Sequence, residues 1–104
     1  MAKPHAPRFV RLGASQVDVL FGAGSALRPR IEISGGRFVA RERVALVGRS
    51  GRLVGVAVVG PVEDRVTVRL SPGDLERLGI DVSGGLLLVG PAGEVRITEG
   101  IVAT

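Results

Sequence analysis

The sequence has 104 residues, no cysteine, one histidine, three phenylalanines as its only aromatic residues, and a formal net charge of +4. This length fits one domain with a single core. The lack of cysteine excludes a disulfide framework, a thiolate nucleophile and a cysteine-ligated zinc site. The single histidine, His5, argues against a histidine-based metal site or a catalytic triad within one chain.

Residues 1–7 are predicted to form a flexible tail, and residues 8–104 a single domain. No segment approaches the roughly 18 apolar residues of a membrane-spanning helix, and the first residues lack the apolar core of a signal peptide. We therefore expect a cytoplasmic protein with no membrane partner.

The first predicted element after the tail is a helix that begins near Ser15 and ends at Gly22. Its apolar residues recur at helical spacing, and they are Val17, Leu20 and Phe21. A strand follows, in which Ile31 and Ile33 alternate with charged residues. This alternation predicts a half-buried strand with the two isoleucines directed inward.

A longer strand is predicted from Leu53 to Val59, after a glycine turn at residues 48–51 that connects two strands as a hairpin. The strand is apolar on both faces, and such a strand is covered on both sides. In a domain of this size the second cover would be another subunit. Val54, Val56 and Val58 lie on one face of this strand and Gly55 and Ala57 on the other, and the sequence leaves open which of the two faces points outward to the homodimer interface.

The second half of the chain contains another helix and three more strands. Ser71 is suited to the N-cap of the helix, Pro72 to its first position, and Gly79 to its end. A turn at residues 90–93 predicts a second hairpin. The strands are predicted from alternating residues at 66–70 and 94–98 and from an apolar run at 86–89.

Short sequences recur in the two halves. Val10-Arg11-Leu12 precedes the first helix as Val68-Arg69-Leu70 precedes the second, and Leu-Val-Gly-x-x-Gly occurs at residues 46–51 and 88–93. A strand–helix–strand–hairpin unit thus occurs twice. We expect an all-β fold with two short helices: a small, closed, six-stranded β-barrel with a pseudo-two-fold axis, of the double-psi or cradle-loop type. Closure of the barrel would remove exposed sheet edges.

A resemblance to a known family covers nearly the whole chain after the tail. Its motifs include Leu-Phe-Gly-x-Gly at residues 20–24, Val-x-Gly-Pro-Val at 58–62, Leu-Gly-Ile-Asp at 78–81 and Leu-Val-Gly-Pro-x-Gly-Glu-Val at 88–95. In order and spacing they resemble one domain of the PduL-type phosphotransacylases. The resemblance implies a family that exchanges phosphate and coenzyme A on short acyl groups and uses zinc.

The departures from this family pattern concern the metal site. Phe9 and Arg11 stand where the family has the histidines of a His-x-His motif, and neither side chain can ligate zinc. A second His-x-His motif of the family would follow Ala103. A family loop that carries an acidic ligand and a phosphate-facing arginine is missing after Asp81. Set against the family, the sequence predicts no metal site, no catalytic residue and no cofactor.

Four arginines are weak candidates for an anion site, and the simpler interpretation is a solvated surface. They are Arg11, Arg37, Arg41 and Arg69. Glycine-rich turns at residues 22–24 and 34–37 could cradle a phosphate but lack the lysine of a Walker motif. Four carboxylates at strand ends and turns are weaker candidates for acid–base or metal chemistry, namely Glu42, Glu63, Asp64 and Asp81.

Three functions remain open. The one we favour is a non-catalytic or degenerate relative that acts as a homodimeric structural or binding barrel, with weak binding of coenzyme A or another anion. The second is a phosphate acyltransferase, active on acyl-CoA and phosphate, whose metal site a partner chain would complete. The third is a DNA-binding dimer, for which arginine–phosphate contacts would suffice. The lack of Tyr and Trp argues against stacking on single-stranded nucleic acid.

Overall fold

The computed structural model describes residues 8–103, so His5 and the predicted tail at residues 1–7 lie outside the described residues. A 3-10 turn at Ser34–Gly36 separates the second and third strands. The elements are β1 (Phe9–Arg11), α1 (Ala14–Phe21), β2 (Pro29–Glu32), β3 (Phe38–Val47), β4 (Arg52–Gly60), β5 (Thr67–Leu70), α2 (Pro72–Leu78), β6 (Leu86–Val89), β7 (Glu94–Ile97) and β8 (Ile101–Ala103). The broad prediction of an all-β fold with two short helices is confirmed.

One sheet contains all eight strands between residues 8 and 103. Its order is β7-β6-β3-β4-β1-β5-β8, and β2 pairs with the beginning of β3. β1 lies between β4, to which it is parallel, and β5, to which it is antiparallel. The two predicted hairpins are the antiparallel pairs β3–β4 and β6–β7.

The predicted closed six-stranded barrel is wrong in both strand number and closure. No pairing joins β7 to β8 in the part of the chain that the structure describes, so the sheet is an open half-barrel. Gly100, with a φ of 92°, lies in the short turn after β7. The chain then enters β8, which pairs in parallel with β5 instead of continuing along β7.

Aliphatic side chains from the strands and both helices form the core. Val68 and Leu70 of β5 are completely buried, as their alternation with polar residues predicts. α1 contributes Val17 and Leu20, and α2 contributes Leu78. Neither helix in the described range has the length and apolar character needed to cross a membrane.

Both helices have the predicted ends. In α2, the Ser71 hydroxyl accepts the Asp74 N–H at 3.1 Å, and the Asp74 carboxylate accepts the Ser71 N–H at 3.2 Å. This reciprocal capping box satisfies two donors that the helix cannot pair internally. The left-handed conformation of Gly79 ends α2. α1 ends at Phe21, directly before Gly22.

The expectation for β2 is wrong. All four of its residues are exposed, and the side chains of Ile31 and Ile33 are 53% and 45% exposed instead of facing inward. β2 pairs with β3 alone, at the margin of the sheet, beyond the residues that form the core. Period-two alternation is compatible with an outlying strand as well as with a half-buried one, so the pattern could not distinguish them.

β4 does not alternate regularly, and this changes which of its residues face outward. Gly55 has a φ of 66°, and the β3–β4 register shifts on either side of Val44. Val54 is 69% exposed, whereas Val56 and Val58 are buried in the core. The prediction that these three valines share one face of the strand is therefore wrong, because an irregularity of this kind reverses the alternation.

Candidate functional site

A groove of about 680 Å³ lies on the outer face of the sheet around β1. Val10 and Val68 are buried in the core, so their neighbours in β1 and β5 point to the opposite face. We call this concavity the basic groove. Its lining residues are Arg8, Phe9, Arg11, Ile33, Arg37, Val39, Ala57, Val59, Thr67 and Arg69.

The strand register explains why these residues meet. Phe9 of β1 is directly opposite Arg69 of β5 on one side and Ala57 of β4 on the other. Arg11 is directly opposite Thr67. Residues 9, 11, 67 and 69 thus form one small patch, although the two pairs are separated by more than 50 positions in the sequence.

Two guanidinium groups lie against the Phe9 ring. The Cζ atom of Arg11 is 5.3 Å from the ring centroid and that of Arg69 is 6.0 Å from it. Both distances suit cation–π attraction, which limits the freedom of the two side chains. Phe9 therefore positions two cations at the centre of the groove, at a position where the resemblance implied a metal ligand.

Arg11 keeps a free donor beside this ring. Its Nη1 donates to the Glu63 carboxylate at 3.3 Å, whereas its Nε is buried and has no hydrogen-bond partner among the described residues. A buried N–H without a partner costs about 1–3 kcal/mol. An acceptor atom from a bound molecule would remove this cost.

Arg8, at the rim, is held by a buried carboxylate. Its Nη2 and Nε donate to Asp74 at 2.6 and 3.1 Å. These hydrogen bonds hold the pKa of Asp74 below its usual value, because they outweigh burial of the carboxylate, which acts in the opposite direction. The same contact raises the pKa of Arg8. Asp74 therefore remains ionised and fixes the orientation of Arg8.

The remaining cations of the groove are uncompensated. Within residues 8–103, Arg37 and Arg69 form no ion pair, whereas Arg8 and Arg11 each have one carboxylate partner. Four arginines and two carboxylates leave a local excess of two positive charges above an apolar floor of Val39, Ala57 and Val59. Such a surface favours an anion that also carries an uncharged part.

Three of the four predicted arginines lie together in the basic groove, and one does not. Arg11, Arg37 and Arg69 line it, whereas Arg41 is exposed on β3 outside the lining. Sequence reasoning missed Arg8. The available signal was Asp74, an acidic residue whose carboxylate caps α2 and also accepts hydrogen bonds from Arg8.

The predicted carboxylates do not form a site. Burial would raise the pKa of Glu42, but hydrogen bonds from the backbone and side chain of Arg28 outweigh it, so this pKa is lowered. Hydrogen bonds from Ser83 hold the pKa of Asp81 below its usual value. Of the two glycine-rich turns, the one at residues 22–24 lies outside the basic groove, and the one at residues 34–37 contributes only Arg37 to its lining. No group of three or more metal-ligating side chains occurs in the described range.

Phe9 and Arg11, at the centre of the groove, do not fit the zinc that the resemblance implied. Phenylalanine offers no lone pair, and a guanidinium has only donors. Both Phe9 and Arg11 are engaged with each other and with neighbouring groups. The groove is therefore chemically suited to anions and not to cations.

Comparison with known proteins places the chain in a family. The family model for phosphate propanoyltransferase matches residues 5–104. Similar relatives are the phosphate propanoyltransferases of Thermotoga maritima, 33% identical over 91% of this chain and 50% of the relative, and of Rhodobacter capsulatus, 34% identical over 91% and 49%. A third, from Planctopirus limnophila, is 36% identical over 91% and 44%. The chain spans about half the length of these curated relatives, and it belongs to the phosphate propanoyltransferase family.

Proposed function

We propose that this domain binds an organic phosphate in the basic groove, acts as a homodimer, and does not itself transfer acyl groups. The observation that carries the proposal is the Arg11–Phe9–Arg69 stack at the centre of the groove. It replaces potential metal ligands by fixed cations. The groove thereby gains attraction for phosphate oxygens and lacks a Lewis acid for the transfer chemistry.

The charges of the groove support the anion part of this proposal. Arg37 and Arg69 have no ion-pair partner in residues 8–103, and Arg11 has the unpartnered Nε. Guanidinium groups bind phosphate oxygens through several directed hydrogen bonds. The apolar floor would accept the uncharged part of the ligand. The names of the relatives, which specify phosphate and a propanoyl group, make organic phosphates that carry or accept an acyl group the first ligand class to test.

Calorimetry of the purified protein with coenzyme A and with acetyl phosphate tests this function. We expect heat of binding with the wild-type protein, a clear loss of affinity in R69A, and no change in R52A, whose arginine is exposed outside the groove. The absence of heat with both ligands would overturn the anion proposal. Turnover of acyl-CoA with phosphate in the zinc-supplemented protein would overturn the non-catalytic part.

A second candidate function is a phosphate acyltransferase completed by another chain. The observation in its favour is that this chain covers about half of relatives that are named as transferases. A partner would then have to supply metal ligands next to the basic groove. Affinity purification of the chain from its source cells, followed by an acyl-CoA and phosphate assay, tests this. Chelator-sensitive activity in the co-purified complex supports the candidate, and its absence from every such complex contradicts it.

A further inference from the structure

One edge of the sheet has the properties of a self-recognition surface. We propose that β2 pairs with β2 of a second copy of this chain, antiparallel, around a two-fold axis centred on Ile31. This inference rests on the proposed homodimer and assigns its interface. It differs from the interface on β4 expected from the sequence, where Val56 and Val58 are in the core.

The free edge of β2 is the first observation. β2 pairs with β3 on one side, and no other described strand lies along its second side. Ile33 donates its N–H to the Arg37 carbonyl at 2.8 Å, beyond the register shift between Pro29 and Ile31, so the peptide groups of Ile33 face β3. Since alternate residues direct their peptide groups to the same side, those of Glu32 are left at the free edge.

The exposed apolar side chains are the second observation. Ile31 of β2 and Ile33, directly after it, are among the large apolar residues that the described structure leaves exposed, and β2 contains no buried residue. An apolar, unpaired edge strand is a template for pairing with another chain. A second copy would cover the peptide groups and the two isoleucines together.

Charge complementarity selects the second copy as the occupant. In an antiparallel pair centred on Ile31, Arg30 of each chain is opposite Glu32 of the other, and Ile31 is opposite itself. Arg30 and Glu32 form no ion pair within residues 8–103, whereas nearby Arg28 is paired with Glu42. Opposite charges directly across two strands stabilise the pairing, and like charges destabilise it.

The same sequence disfavours the other registers. A two-fold axis centred on Arg30 would place that arginine opposite itself, and one centred on Glu32 would do the same for two carboxylates. A shift of the pairing by one residue would place Ile31 of one chain opposite a charged residue of the other, on the same face of the sheet. The shift of register between Pro29 and Ile31 limits regular pairing to a short segment. We therefore expect a specific but weak dimer, with a dissociation constant on the order of micromolar.

Charge-reversal variants test the register. In R30E and in E32R, both cross-strand charge pairs become like-charged, and we expect the dimer dissociation constant in analytical ultracentrifugation to rise about tenfold or more. The double variant R30E/E32R restores opposite pairs and should recover the wild-type constant. An equimolar mixture of the two single variants should form a heterodimer. A dimer insensitive to all these changes would overturn the β2 interface and leave the homodimer intact.

A cysteine cross-link gives a second readout that does not depend on charge. The sequence contains no cysteine, and two residues facing each other across antiparallel strands are about 4.5–5.5 Å apart at Cα, within the range of a disulfide. I31C should therefore oxidise to a covalent dimer, whereas V54C, whose side chain on β4 is more exposed than that of Ile31, should remain monomeric on a non-reducing gel. Covalent dimer formation at equal rates in I31C and V54C would overturn the proposal. A wild-type protein that stays monomeric at millimolar concentration would overturn the homodimer as well.

Discussion

The carbonyl oxygens of Leu20 and Leu78 have equivalent roles at the ends of the two helices. Leu78 accepts the N–H of Ser50 at 3.0 Å, in the turn between β3 and β4, and Leu20 accepts the N–H of Ala92 at 2.9 Å, in the turn between β6 and β7. Each hairpin turn therefore rests on the helix of the other half of the chain. This crossed arrangement fits the repeat of Leu-Val-Gly-x-x-Gly in the sequence.

The glycines that begin these turns should not tolerate a side chain. A β-carbon at Gly48 would overlap the Leu78 carbonyl, and one at Gly90 would overlap the Leu20 carbonyl. We expect G48A and G90A each to lower the free energy of unfolding by about 2 kcal/mol. The control is G73A in α2, where the nearest neighbour would be 3.8 Å away. It should raise stability by about 0.5–1 kcal/mol. A thermal unfolding temperature of G73A below that of G48A or G90A would contradict this account.

Asp74 should make stability depend on pH in the acidic range. Its pKa is lowered in the folded state, so its contribution is present above the unfolded value of about 3.9 and is lost as the pH falls through the folded value. We expect D74N to cost about 2 kcal/mol at pH 7 through the loss of the cap and the buried charge.

The measurement is denaturant unfolding of D74N and wild type at several pH values. The difference between the two proteins should shrink as the pH falls below about 4. D64N is the matched control, since Asp64 is exposed and forms no side-chain hydrogen bond with the described residues. A pH-independent difference would show that the ionised carboxylate is not what Arg8 and the helix require.

The two orientations along β4 predict opposite responses to substitution. Val58 is fully buried, so V58A removes packed methyl groups and should cost about 2–3 kcal/mol. Val54 is exposed, so V54T should change stability by less than about 0.5 kcal/mol. Urea unfolding measures both. Similar costs for the two variants would contradict the reversal of alternation at Gly55.

Anion binding to the basic groove should weaken with salt. Between 0.1 and 1 M salt the screening length falls from about 10 to about 3 Å, and we expect the affinity for coenzyme A to fall about tenfold over this range. In the R37A/R69A variant the affinity at low salt should be reduced and the dependence on salt should be shallower. Titration calorimetry at several salt concentrations checks this. If the affinity of R37A/R69A depended on salt concentration as steeply as that of the wild type, the anion would have to bind elsewhere.

Locally encoded features could be predicted from the sequence. Ser71, Pro72 and Gly79 determine the ends of α2 because capping and left-handed termination depend on a few adjacent residues. The two hairpin turns were predicted correctly for the same reason. Membership of the family was also recognisable, since it depends on the order of many short motifs and the match covers residues 5–104.

Features that depend on distant strands could not be predicted. Whether the sheet closes depends on where β7 and β8 lie relative to each other, which no local pattern specifies. The exposure of Ile31 depends on how far the core extends beyond β3. The basic groove depends on the register that puts Arg69 beside Phe9. The sequence predicted three of its four arginines individually. The pairing of β1 with β5 brings Arg11 and Arg69 together, and the pairing of β4 with both β1 and β3 brings Arg37 to the same site.

The position of β1 between β4 and β5 has a consequence for how the protein is made. Its partners at residues 57–58 and 67–69 are synthesised long after it. β1 must therefore wait for some sixty further residues before its hydrogen bonds can form, and long-range pairing of this kind slows folding. Because each hairpin also rests on the other half's helix, neither half holds a complete core during synthesis. The domain should acquire its structure in a single late step.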